Sequence, residues 1–184
     1  GVLRSLLRHR IERGLVVIND PAAVRDLADV VVGEVRRLSV GGRGWAGDAG
    51  PVDLEARLVS RSDGRFILED RQSHLASIAG VHIDMGPCAV VQFEGVTILL
   101  TSRKTPPFDL GQLRSQGLEP KAFAVIGVKA AVAHRRAYDP IAAASFSVGT
   151  PGPCTSDLAT LPWKHLRRPV FPLDPIVVAE PLFA

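Results

Sequence analysis

The run from Val81 to Ser102, VHIDMGPCAVVQFEGVTILLTS, decides the fold class. It holds three short segments, Val81–Met85, Ala89–Phe93 and Val96–Ser102, each rich in β-branched and apolar residues and each bounded by turn-forming ones, as strands are. Met85-Gly86-Pro87 separates the first from the second. Glu94-Gly95 leaves only two residues between the second and third, a length that a tight antiparallel turn closes. An antiparallel meander is expected here.

Toward the amino terminus, Ser62-Asp63-Gly64 is a hairpin signal between two further strand patterns, Val52–Ser60 and Arg65–Glu69. A glycine-rich loop, Gly41-Gly42-Arg43-Gly44 through Gly50-Pro51, precedes them, and the polar stretch from Arg71 to Ser77 reads as a connection. At the start of the chain, Val2, Leu3, Leu6, Leu7 and Ile11 recur at helical spacing with arginines between them, so a helix is expected over Val2–Arg13, closed by Gly14. Leu15–Ile18 is a continuous apolar run of the kind a buried strand shows. Asn19-Asp20-Pro21 then supplies an N-cap and a proline at the first helical position, predicting a second helix to about Val32. Glu34–Val40 alternates as a strand does and completes a strand, helix, strand unit.

Toward the carboxyl terminus, Asp109 follows Pro106-Pro107 and can cap a helix through Gln116 that ends at Gly117. Phe123–Val128 reads as another buried strand. Ala130 to about Ala144 is mostly helical in pattern with a break near Asp139-Pro140, and Ser145–Val148 is strand-like again. From Pro151 to Ala184 the sequence is proline-rich without periodicity, which predicts an extended tail packed on the rest. The expected architecture is α/β: a mixed sheet with flanking helices and an antiparallel hairpin and meander section, in one domain spanning residues 1–184.

A chain of 184 residues that is 46% hydrophobic can bury one sizeable core. Its 22 basic and 19 acidic residues leave a net charge of only +3, and the clusters Arg4 to Arg13 and Lys164 to Arg168 read as solvated faces. With one tyrosine and two tryptophans there is no aromatic platform for bases, so no nucleic-acid partner is expected. The two cysteines, Cys88 and Cys154, each follow a proline and form no framework, which points to a reducing cytoplasm. No apolar run approaches the ~20 residues needed to span a bilayer, so no membrane partner is expected.

Ligand-type side chains occur at His82-Ile83-Asp84, two apart and hence on one face of a strand, with His74 upstream; together they could hold part of a zinc shell. The competing reading has Asp84 capping the turn at Met85-Gly86-Pro87 and His82 as an ordinary surface or core histidine. It is the better supported, since no H-E-x-x-H cluster is present. Cys88 lacks the surroundings of a nucleophile, and Gly41–Gly44 lacks the spacing of a phosphate loop. Lys129 stands out because it ends the Phe123–Val128 strand, and open α/β sheets bind ligands at the carboxyl ends of their strands. It could bind a carboxylate or polarise a carbonyl, with His134 and Arg135 on the helix that follows. The alternative is simple pairing of these cations with local acids such as Asp139.

Several stretches taken in order resemble the C-terminal domain of the microcystinase C (MlrC)-like metallopeptidase family. They are Ser62-Asp63-Gly64-Arg65-Phe66, Ile83-Asp84-Met85-Gly86-Pro87-Cys88-Ala89-Val90, and Leu100-Thr101-Ser102-Arg103-Lys104-Thr105-Pro106-Pro107-Phe108-Asp109. Val128-Lys129-Ala130-Ala131, Asp139-Pro140-Ile141-Ala142-Ala143 and the run from Leu161-Pro162-Trp163 to Asp174 continue the series. The resemblance implies a two-domain zinc-dependent hydrolase of small linear peptides or related amides, whose larger N-terminal domain carries the metal. No cofactor is then expected in this chain. Its partners would be that metal-binding domain of the same protein and a peptide-like small substrate, and a homo-oligomer is left open.

In the family the strand ending in lysine is followed by a serine and then by a His-Phe-Arg triplet. Lys129 and Arg135 match that pattern, whereas Ala130 replaces the serine, Ala133 the histidine, and His134 falls one position late. One position on a helix is a rotation of ~100°. Pro106 also stands where a polar residue is usual. On this resemblance the substrate-binding candidates are Lys129, Arg135 and His134, in a chain inactive by itself. A different class of reading makes the chain a non-catalytic binding or assembly module that keeps the fold without the site.

Overall fold

The structure, a computed structural model, describes residues 1–44, 47, 49–150 and 157–175. Its elements run α1 (Val2–Arg8), β1 (Gly14–Asn19), α2 (Pro21–Asp26), β2 (Val35–Val40), β3 (Val52–Ser62), β4 (Arg65–Ile67), α3 (His74–Ala79), β5 (His82–Asp84), β6 (Cys88–Phe93), β7 (Val96–Thr101), α4 (Gly111–Arg114), β8 (Val125–Gly127) and α5 (Arg135–Tyr138). Six strands form a mixed sheet in the order β2-β3-β6-β7-β1-β8, and β4 with β5 makes a small antiparallel second sheet. The expected α/β class, with flanking helices around a mixed sheet, is what the chain adopts.

The apolar runs explain the layering. In β6, Ala89 and Val91 face one core while Cys88 and Val90 face the other; in β7, Ile98 and Leu100 oppose Leu99; in β1, Val16 opposes Leu15. Strands covered on both faces read as continuous hydrophobic stretches, which is why β1 and β7 show no alternation in sequence. The first core is completed by Leu3 and Leu6 of α1, Ala23 and Val24 of α2, and Leu38, Val40 and Leu54 of the β2–β3 ribbon. The second is closed by Phe66, Ile83, Leu75, Leu113 and Tyr138, from the small sheet, α3, α4 and α5.

Two buried carboxylates lock this arrangement. Asp20, 3% exposed, caps α2 by accepting from the N–H groups of Ala22 (3.2 Å) and Ala23 (3.1 Å). It also accepts from Gly41 N–H (2.8 Å) and pairs with Arg43, so the far end of the β2–β3 ribbon is tied to the end of β1. Asp109, 2% exposed, accepts from Gly111 N–H at the start of α4 and from Glu69 and Asp70 N–H beyond β4. Charged acceptors of backbone N–H groups are among the stronger hydrogen-bond partners in a protein.

Several expectations are corrected. The strand, helix, strand order holds as β1, α2 and β2, but the two strands are not neighbours: β2 is an edge of the sheet and runs antiparallel to β1 through the chain of pairings. The first helix stops at Arg8 instead of Arg13. Arg10 takes a left-handed φ of 49°, and the N–H groups of Arg10 and Ile11 return to the carbonyls of Leu7 and Leu6, a Schellman closure. The second helix stops at Asp26, where Arg61 of β3 donates to the carbonyls of Leu27 and Ala28, and Gly33 N–H bonds Leu58 O.

Ser62-Asp63-Gly64 turns the chain without making a hairpin, since β3 stays in the large sheet and β4 pairs with β5. Gly64 has a φ of 71°, and a Cβ there would lie 2.0 Å from Gly86 O, so only glycine lets the two linkers cross. The polar stretch holds α3, capped by Ser73 Oγ accepting from Ala76 N–H. The Phe123–Val128 strand shrinks to β8, a half-exposed edge rather than a buried strand. Of the helix expected over residues 130–144, only α5 and a 3-10 turn, Asp139–Ile141, form, and residues 145–148 make no strand.

In the tail, residues 157–175 are held by local bonds such as Trp163 Nε1–H to Leu158 O and the Arg168–Asp174 pair; residues 151–156 and 176–184 lie outside the described residues. Replacing Asp20 by alanine leaves the N–H groups of Ala22, Ala23 and Gly41 without that acceptor and is expected to cost about 2 kcal/mol. Asp20→Asn, which keeps a capping oxygen, should cost less. Urea unfolding of both variants against the parent checks the order.

Candidate functional site

The strands β1, β7 and β8 are parallel, so their carboxyl ends share one edge of the sheet. Asn19 and Thr101 are paired there, Thr101 pairs onward with Cys88, and Cys88 with Ser62. Asn19 Nδ2–H donates to Thr101 O (3.0 Å) and Oγ1 (3.3 Å), so the end of β1 is held to that of β7. Lys129 is exposed and lies two residues beyond β8, whose last residue, Gly127, pairs with Val16 of β1.

Arg135 opens α5 and is exposed, and His134 sits at its N-cap position. The His134 ring lies 6.3 Å from that of Tyr138, tilted by 58°, and its Nδ1 is buried without a partner among the described residues. Neither Lys129 nor Arg135 forms an ion pair with a described residue, so both keep their donors open. The neighbouring Arg136 is the anchoring arginine: it pairs with Asp70, which in turn donates its N–H to Asp109. Sequence reasoning passed over Arg136, because only the distant Asp70 distinguishes it from Arg135.

The candidate metal ligands do not assemble. His82 and Asp84 share β5, yet Asp84 accepts from Gly86 N–H (2.7 Å), pairs with Arg103, and lies 3.9 Å from Arg65 Nε. The Gly86 bond leads the causes that hold the Asp84 carboxyl below its ordinary pKa, with Arg103 and Arg65 adding to it against some desolvation. Asp84 is therefore a turn-capping carboxylate already saturated with donors. His74 is on α3, and among the described residues no three His, Cys, Asp or Glu side chains are grouped to hold a metal ion. These residues do not fit a zinc centre within this chain. Nor is any helix among the described residues long and apolar enough to cross a membrane.

Comparison with known proteins agrees with this architecture. The family model described as MlrC C-terminus matches residues 1–165. The chain belongs to the MlrC C-terminus family. No curated protein matches it. A crystal structure from Mesorhizobium sp. BNC1, described as a candidate metallopeptidase, superposes with a TM-score of 0.74 at 22% identity, covering 97% of this chain and 35% of that one. The MlrC C-terminal chain thus spans about a third of the length of that neighbour.

One thiol of this MlrC C-terminal chain lies at the same sheet edge. Cys88 is 1% exposed and free, and donates its S–H to Gly86 O (3.2 Å). Burial pushes its pKa up to about 11, away from the thiolate a nucleophile needs. In a Cys154→Ser background, iodoacetamide at pH 8 is expected to label Cys88 at least ~10-fold more slowly in the folded chain than in urea. The raised pKa means that the folded state holds the proton more tightly than the unfolded one. The associated stability is therefore complete below about pH 9 and is lost as pH rises toward 11. A chain whose Cys88→Ala variant showed the same loss of stability between those pH values would contradict this assignment.

Proposed function

We propose that this chain is the carboxyl-terminal part of a zinc-dependent hydrolase of small linear peptides or related amides. The observation that carries the reading is the family match over residues 1–165. The much greater length of the Mesorhizobium protein, of which this chain covers 35%, supports a larger polypeptide in which another domain holds the metal. Chemistry that needs a Lewis acid belongs to that preceding domain. The contribution of this chain is to position substrate.

In this reading Lys129 and Arg135 hold the carboxylate or a carbonyl of the peptide-like substrate. Both are exposed cations without acidic partners among the described residues, so neither must break an ion pair to take an anion. His134, at the N-cap of α5 next to Arg135, is the third substrate contact in this reading. In this reading the setting is cytoplasmic, and the free, buried thiol of Cys88 is compatible with a reducing compartment. A homo-oligomer is compatible with the proposal and is not required by it.

The experiment compares the purified 184-residue chain with the product of the full reading frame, by metal analysis and by hydrolysis of short linear peptides. The chain alone is expected to hold no stoichiometric zinc and to cleave nothing, while the longer protein does both. In the longer protein, Lys129→Ala and Arg135→Ala should each raise KM by ~10-fold or more with metal content unchanged. One tightly bound zinc per 184-residue chain would refute the division of labour. A reading frame with no additional metal-binding region would favour the non-catalytic binding module instead.

A further inference from the structure

Ser145-Phe146-Ser147-Val148 alternates polar and apolar residues, the period that places Phe146 and Val148 on one face of an extended chain. Nothing described in the structure uses that face. Phe146 is 85% exposed and Val148 69%, and every residue from 142 to 150 is exposed. Among the described residues, the backbone of residues 143–150 forms no hydrogen bond with another backbone group. Three other exposed valines differ in this respect: Val31, Val32 and Val35 flank Gly33, whose N–H is fastened to Leu58 O of β3. A strand pattern with free main-chain donors and two bare apolar side chains is what strand addition to another sheet requires.

Its position names the occupant. Gly1 lies against Thr150: a Cβ built on Gly1 would be 3.1 Å from both Cβ and Cγ2 of that threonine. A polypeptide arriving at Gly1 from a preceding domain therefore passes beside the end of this segment. We propose that residues 145–148 are a docking strand for the preceding, metal-carrying domain of the same polypeptide, adding to a sheet edge there with Phe146 and Val148 against its apolar face. The inference rests on the proposed function, which supplies that domain. Because the tether makes the contact intramolecular, at an effective concentration on the order of millimolar, a strand of only a few residues suffices. A second copy of the chain has no such advantage.

Hydrogen exchange tests it in the metal-loaded product of the full reading frame and in the 184-residue chain. The expected result is that amide exchange at residues 145–148 is at least ~10-fold slower in the longer protein. The double variant Phe146→Ser, Val148→Ser should remove that protection while leaving the thermal midpoint of the 184-residue chain unchanged, since both side chains are exposed. Equal exchange in the two proteins would overturn the docking strand while leaving a metal-loaded, active longer enzyme intact. Protection that grows with concentration in the 184-residue chain would replace it by self-pairing. If intact mass shows that no domain precedes Gly1, the proposed function and the docking strand fall together.

Discussion

The buried carboxylate of Asp20 is the point on which the geometry of this chain turns. Three structural units meet at that side chain: the end of β1, the first turn of α2, and the loop beyond β2 that presents Gly41 and Arg43. The β2–β3 ribbon extends past its pairing with β6, since residues 52–56 of β3 pair only with β2. Without a clamp at its far end, that ribbon would leave Leu38, Val40 and Leu54 uncovered. Asp20 holds it over the same core that α1 and α2 close. Asp109 does comparable work on the opposite face, joining α4 to the segment after β4, and the Arg136–Asp70 pair brings α5 onto that joint.

These clamps also set where the exposed cations stand. Lys129 follows β8, which runs parallel to β1, and Arg135 opens α5 with His134 at its N-cap, next to the Arg136 that pairs with Asp70. Adjacent arginines divide: Arg136 pairs with Asp70, whereas Arg135 has no ion-pair partner among the described residues. In contrast, the carboxylate that looked most like a metal ligand, Asp84, is consumed by its own turn and two arginines.

Sequence alone made the local chemistry legible where one residue settles it. Asp20-Pro21 announced α2, Glu94-Gly95 the β6–β7 hairpin, Gly117 the end of the α4 segment, and the apolar run Leu15–Ile18 the buried strand β1. What stayed hidden depended on distant partners. The length of α2 is set by Arg61, thirty-odd residues away, and the fate of Ser62-Asp63-Gly64 by the crossing with Gly86. The helix α3 is short and carries one buried apolar residue, Leu75, too weak a periodicity to detect. The position of Lys129 just beyond a strand was readable, whereas its lack of an acidic partner among the described residues was not, because partners are a property of the fold.

The placement of β1 between β7 and β8 has a consequence during synthesis. Its residues bond to partners 82 positions later at Thr101 and still farther on at Val125. At about 5–20 residues per second, a ribosome needs on the order of 10 s to deliver the first of those partners. Through that interval the apolar Leu15-Val16-Val17-Ile18 has no sheet to enter, so this stretch of the nascent chain keeps its apolar face bare until β7 has been made.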